Sequence, residues 1–251
     1  MSQTWYQAEG SKLAEIWTIL HLPYTLMNLS FLTIGFGLAG IHRWDVFGWI
    51  LLAYFLGLGI AAHSFDQLPG MGSNYIKHLT PKELWMIGLP ALGVAVLIGA
   101  YWMIELKAWH LLWIIPLQTF FVWAYPNSKF MKGFFHDDFW FAVSFGFIPV
   151  MTGFYINNLS FSITIIPWAA TALIISLIEI TLSRYVRNVR KVSTDNTYLL
   201  IISLIEITLS RYVRNVRKTN TDNTYLIKPE LALKLLCLMS YSLALSIIMW
   251  S

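Results

Sequence analysis

The sequence predicts an all-α fold: a polytopic membrane helix bundle of about seven transmembrane helices, with the N-terminus cytoplasmic. Three observations carry that expectation. The 251 residues are 57% hydrophobic and only 12% charged, whereas a soluble domain carries about 25% charged residues. Apolar runs of spanning length, about 20 residues, recur along the chain. Lysine and arginine crowd into one alternate set of loops.

The runs cover roughly 17–41, 46–66, 84–104, 109–125, 138–157, 162–182 and 231–250. Pro23, Pro90, Pro116, Pro149 and Pro167 fall within five of them. Each removes a backbone donor and predicts a kink. Trp5, Trp44, Trp109, Tyr125 and Trp250 stand near segment ends, as interfacial anchors do. The N-terminal Met-Ser-Gln-Thr-Trp-Tyr shows no basic region followed by a short apolar core. No cleaved signal peptide is therefore expected, and the first helix is retained. The single cysteine, Cys237, excludes an intrachain disulfide and a CxxC-type zinc site.

The N-terminal tail and the loops after the second, fourth and sixth runs carry fourteen Lys and Arg, among them Lys77, Lys129, Arg184 and Arg211. The opposite loops carry two, Arg43 and Lys107. That asymmetry sets the expected orientation. The net charge of +4 is concentrated after the sixth run. It points to anionic lipid headgroups, and no segment supplies a nucleic-acid-binding domain.

Residues 1–251 read as one transmembrane domain containing a tandem duplication. Residues 173–199 recur as 200–226, with differences only at Val192/Thr219 and Ser193/Asn220. The apolar run Tyr198–Leu209 of the second copy is too short to span. Twelve helical residues reach about 18 Å, against a hydrocarbon core of about 30 Å. The second copy is expected as a cytoplasmic or interfacial insertion, a tolerated lengthening of a loop. Arg211, Arg214 and Arg217 suit a surface helix.

Gly35-Phe-Gly-Leu-Ala-Gly40 matches the dinucleotide fingerprint GxGxxG by letter. It lies inside an apolar helix with no βαβ unit around it, so it reads as a close helix–helix contact. No GxSxG elbow, P-loop or HExxH occurs.

The ionisable residues are more informative, because they are costly in a membrane. His63 and Asp66, three apart, share a face at the end of the second run. His136-Asp137-Asp138 opens the fifth run, expected on the same side of the membrane. Asp137 and Asp138 also suit helix capping. His21 and Asn28 are seven apart and are expected on one face of the first helix. Gln118 and Glu179 add polarity to the fourth and sixth runs. Together these groups predict a polar cavity opening toward the cytoplasm, with His21, Asn28, His63, His136, Glu179, Arg184 and Arg187 as candidate substrate-binding residues.

The run His21-Leu-Pro-Tyr-Thr and the acidic end of the second helix at Asp66 resemble the UbiA superfamily of intramembrane prenyltransferases. Those enzymes hold Mg²⁺ and a polyprenyl diphosphate with cytoplasmic NxxxDxxxD and DxxxD motifs. The resemblance covers about 150 residues, and Asp66 takes the place of one aspartate of the first motif. Ala62 and Gly70 stand four residues to either side, where the motif has Asn and Asp. Phe141 and Ala142 stand where a second DxxxD would end. The segments Ala61–Gly70 and His136–Trp140 look closer to a group of unnamed prokaryotic membrane proteins, which implies a prokaryotic cell membrane.

The resemblance implies transfer of a prenyl group to a lipid or aromatic acceptor. Asp66, Asp137 and Asp138 would be the catalytic and Mg²⁺-binding residues. His63 and His136 would complete the polar shell, and Arg184 and Arg187 would neutralise the diphosphate. A second expectation is a non-catalytic module: a binding protein or carrier for a lipid or quinone, or a subunit of a membrane complex. A third is haem ligation through neutral His21, His63 or His110.

Overall fold

The computed structural model describes residues 10–39, 43–72 and 76–189, the side chains of Pro23 and of 182–189 apart. Among them every regular element is helical and no strand occurs. Five helices are long and apolar enough to cross a membrane: Lys12–Leu38, Trp44–Asp66, Pro81–Glu105, Asp138–Asn158 and Ile163–Thr181. Trp109–Ala124 is apolar but shorter. Six of the expected segments are thus present as helix. The seventh, 231–250, lies outside the described residues, and so does the second copy at 200–226.

The first expected helix is two helices, α1 (Lys12–Ile19) and α2 (Leu22–Leu38). The joint is His21, held in the left-handed region at φ 40°, ψ 54°. Pro23 explains the break. A proline cannot donate to the carbonyl four residues back, and its ring crowds that carbonyl. The helix therefore ends and restarts with Pro23 in the first turn of α2. His21 and Asn28 accordingly do not share one helix, as had been expected from their spacing.

Buried Glu15 on α1 ties the chain end to the loop ahead of the third span. Its carboxylate accepts the backbone N–H groups of Lys77 at 2.6 Å, His78 at 2.8 Å and Leu79 at 2.7 Å. His78 Nδ1 lies 2.8 Å from the same carboxylate. Three otherwise orphaned loop donors are satisfied by one side chain.

The second span, α3 (Trp44–Asp66), passes through a π-helical turn at Phe55–Ala61. The third, α4 (Pro81–Glu105), starts with a reciprocal capping box. The Thr80 hydroxyl accepts from Glu83 N at 3.3 Å, and Glu83 Oε2 accepts from Thr80 N at 2.9 Å. Only 11% of its most apolar window is buried. Met86, Leu89, Leu97 and Tyr101 are exposed on it, so it presents a broad apolar outer face. The short helix α5 (Trp109–Ala124) follows.

The most extensive helix pair is α2 against α6 (Asp138–Asn158). Glycines bring their backbones together. A Cβ at Gly35 would lie 2.0 Å from the Val150 carbonyl oxygen, and one at Gly153 would lie 2.1 Å from that of Leu32. Gly35 of the GxGxxG-like run is therefore a close-approach glycine. Two buried asparagines bind the same pair. Asn157 Nδ2 donates to the Phe36 carbonyl at 3.1 Å. Asn28 Nδ2 donates to the Phe145 carbonyl at 3.2 Å.

Four residues after Phe145 stands Pro149, which has no N–H to give its carbonyl. Here α6 adopts a π-helical turn, Val143–Phe147. The last described helix, α7 (Ile166–Val189), packs on this turn. Ser176 and the Ala172 carbonyl lie against Gly146.

Candidate functional site

A polar cavity of about 700 Å³, counting its mouth, lies where α3 ends and α6 begins. His21, Tyr24, His63, Asp66, Tyr125 and His136 supply its polar wall. Ala62, Phe141, Phe145 and Ile180 belong to its apolar wall. His63 and Asp66 of the first cluster and His136 of the second, seventy or more residues away in sequence, thus meet in one cavity.

Each side chain is placed by a local irregularity. His63 stands two residues after the π-turn of α3, and its Nδ1 lies 3.0 Å from the Gly59 carbonyl inside that turn. Phe145 belongs to the π-turn of α6. Such turns widen a helix and often accompany functional sites. His21 is the left-handed joint between α1 and α2. A non-glycine residue there is uncommon, and histidine is among the types that tolerate it. The His21 ring lies parallel to His63, with centroids 4.8 Å apart and planes at 12°. It also stacks on Tyr24 at 4.8 Å.

His136 Nδ1 lies 2.8 Å from the Tyr125 carbonyl at the end of α5. A carbonyl only accepts, so Nδ1 of both His63 and His136 carries the proton. In the neutral rings Nε2 is then the acceptor. Asp66 adds a carboxylate beside His136, and Gly72 shows how closely they meet. A Cβ on Gly72 would lie 2.3 Å from Asp66 Oδ1 and 2.6 Å from His136 Cε1. The Gln67 amide donates to Asp66 Oδ2 at 3.2 Å. The Ser128 hydroxyl donates to the Gly70 and Met71 carbonyls, both at 3.3 Å, and pins the loop that carries Gly72.

The remaining candidate residues lie elsewhere. Asp137 is the N-cap of α6, accepting from Trp140 N at 2.9 Å. Asp138 stands in the first helical turn. Buried Asn28 is engaged with the π-turn carbonyl and does not line the cavity. Glu179 is buried on α7, next to the cavity residue Ile180. The side chains of Arg184 and Arg187 lie outside the described residues.

Two features escaped sequence reasoning. Tyr24 and Tyr125 wall the cavity, but in the sequence Tyr24 stood only within the His21–Thr25 run and Tyr125 resembled an interfacial anchor. The left-handed joint at His21 had one signal, the proline two residues later.

The three carboxylates expected to hold Mg²⁺ and a diphosphate are not gathered in this cavity; of Asp66, Asp137 and Asp138, Asp66 alone lines it. Among the described residues no three His, Cys, Asp or Glu side chains gather as metal ligands. Asp137 is committed to a helix cap, and a diphosphate would bring only acceptors to a cavity rich in acceptors. Nor do the histidines suit haem. The His21 and His63 rings stack face to face with centroids 4.8 Å apart, which leaves no space for a haem between them. His110 points its Nε2 to the Leu159 carbonyl at 3.1 Å, at the other end of α6. Compared with known protein families, curated proteins and solved structures, the chain matches none.

Proposed function

We propose that the chain is a membrane-embedded binding protein for an amphipathic molecule whose headgroup donates hydrogen bonds. A prenylated hydroquinone is the class that fits best. One observation carries this reading: Nε2 of His63, Nε2 of His136 and the Asp66 carboxylate are acceptors gathered in one cavity at the end of apolar helices. Phenolic hydroxyls complement them, and the aromatic wall of Tyr24, Phe141 and Phe145 offers ring stacking. The oxidised quinone presents carbonyls and loses that complementarity.

Purified protein titrated with a short-chain hydroquinone and with its quinone tests the preference. The hydroquinone is expected to bind at least tenfold more tightly. His136→Phe is expected to weaken it by about tenfold, ~1.4 kcal/mol, the worth of one buried hydrogen bond. Equal binding of the two redox forms would overturn the reading.

A second reading rests on the resemblance to intramembrane prenyltransferases and on the meeting of Asp66 with His136. It assigns prenyl-diphosphate binding to this cavity, with Asp66 as the principal carboxylate and the histidines in their doubly protonated form. Its signature is binding that requires Mg²⁺ and is lost in Asp66→Asn.

We also propose seven spans with a cytoplasmic N-terminus, from the lysine and arginine asymmetry. In a Cys237→Ser background, cysteines at Lys129 and Arg43 report it. Membrane-impermeant reagent added outside intact cells is expected to label position 43 and not position 129.

A further inference from the structure

We infer a second binding site, for a long-chain alcohol, in an apolar cavity between α3, α4, α5 and α6. The cavity encloses about 560 Å³, counting its mouth, within the range of small-molecule sites. Ile50, Leu58, Leu92 and Val122 are typical of its wall. Gly57 and Gly99 face it without side chains. It is separate from the histidine cavity. The two share no lining residue, and on α3 they are divided by the turn between Leu58 and Ala62.

The polar side chains on this wall are Tyr54, Gln118, Thr119 and Thr152. Three of them form a chain of hydrogen bonds with one consistent direction. The Thr152 hydroxyl donates its single proton to the Ile148 carbonyl at 2.9 Å. With the Thr152 proton given to Ile148, the neighbouring Tyr54 hydroxyl has the Thr152 oxygen to donate to. The Tyr54 oxygen in turn accepts from Gln118 Nε2 at 2.8 Å. In this arrangement the Nε2 end of the Gln118 amide faces Tyr54. The other end, Oε1, is buried and has no partner.

A buried amide oxygen left unmatched is costly, because it has given up its bond to water and gained none in return. A ligand carrying one hydroxyl on an apolar body removes that cost, since the hydroxyl donates to Oε1 while the body fills the apolar cavity. A hydrocarbon or an ether fills the same space and leaves Oε1 unmatched. The site is therefore selective for the donor as such. The apolar outer face of α4 gives an apolar molecule a route from the bilayer.

The probe is 1-dodecanol, compared with its methyl ether, on the full chain in detergent micelles. Each competes with a tritiated, photoreactive dodecanol. The expected result is displacement by the alcohol about tenfold better than by the ether. Gln118→Leu is expected to erase that difference while retaining both ligands. Gly57→Leu, which fills the cavity, is expected to abolish displaceable labelling. His136→Phe, which alters the other cavity, is expected to change nothing here, so this site stands or falls apart from the proposed hydroquinone site. Equal displacement by alcohol and ether, or labelling that survives Gly57→Leu in protein with the wild-type helical spectrum, would overturn the inference.

Discussion

Gly153→Val is expected to unfold the bundle or separate α2 from α6. The physical reason is a backbone contact on both sides. A Cβ at Gly153 would meet the Leu32 carbonyl oxygen at 2.1 Å and the Phe36 nitrogen at 2.8 Å. Atoms of a helix backbone cannot rotate aside as a side chain can. Overpacking costs typically about 1–3 kcal/mol and sometimes more, and this contact belongs at the upper end. Separation would also break the bonds from Asn157 to the Phe36 carbonyl and from Asn28 to the Phe145 carbonyl. Gly48→Val and Gly93→Val are the controls, since a Cβ there meets nothing within 4 Å. Thermal unfolding followed by circular dichroism in detergent measures the difference. Equal melting of Gly153→Val and Gly48→Val would refute the packing argument.

Gly72→Val is expected to have the opposite profile: intact fold and lost headgroup binding. Gly72 is exposed in a loop. Its new Cβ would meet Asp66 Oδ1 and the His136 ring, not backbone. Those side chains can turn away at modest cost, so the bundle survives. Turning them away separates the carboxylate from the imidazole. The expected loss of hydroquinone affinity is about a hundredfold, ~2.7 kcal/mol, corresponding to two hydrogen bonds of roughly 1–1.5 kcal/mol each. Isothermal titration and a parallel melting curve read the two effects separately. Unchanged affinity would remove Asp66 and His136 from the site.

The contrast between these two glycines also marks what could be read from the linear chain. Gly35 belonged to a visible small-residue run, and its role in helix approach followed from its apolar context. Gly153 and Gly72 carried no comparable signal, because their neighbours come from helices and loops distant in sequence. His63, Asp66 and His136 were legible as candidates because ionisable groups next to long apolar runs are costly. Asp137 belonged to the same expected set. In the fold its side chain closes the first turn of α6, a role that competes with ligand binding at every helix start. Asn28 was legible as a buried polar group, but its partner was not. That partner is the Phe145 carbonyl, four residues before Pro149, on a helix remote from Asn28 in sequence.

The sequence by itself determined that the described chain is helical and apolar enough for repeated membrane crossing, because composition and run length are properties of the chain alone. It also singled out the ionisable residues, since their cost depends on their apolar surroundings. Tertiary structure alone decided which of them meet. The π-turns, the left-handed joint at His21 and the close approach of α2 and α6 set the azimuth of each helix. Azimuth, unlike helicity, is fixed by contacts between distant segments. Those contacts brought His63, Asp66 and His136 into one cavity and left Gln118 as the unmatched acceptor of another.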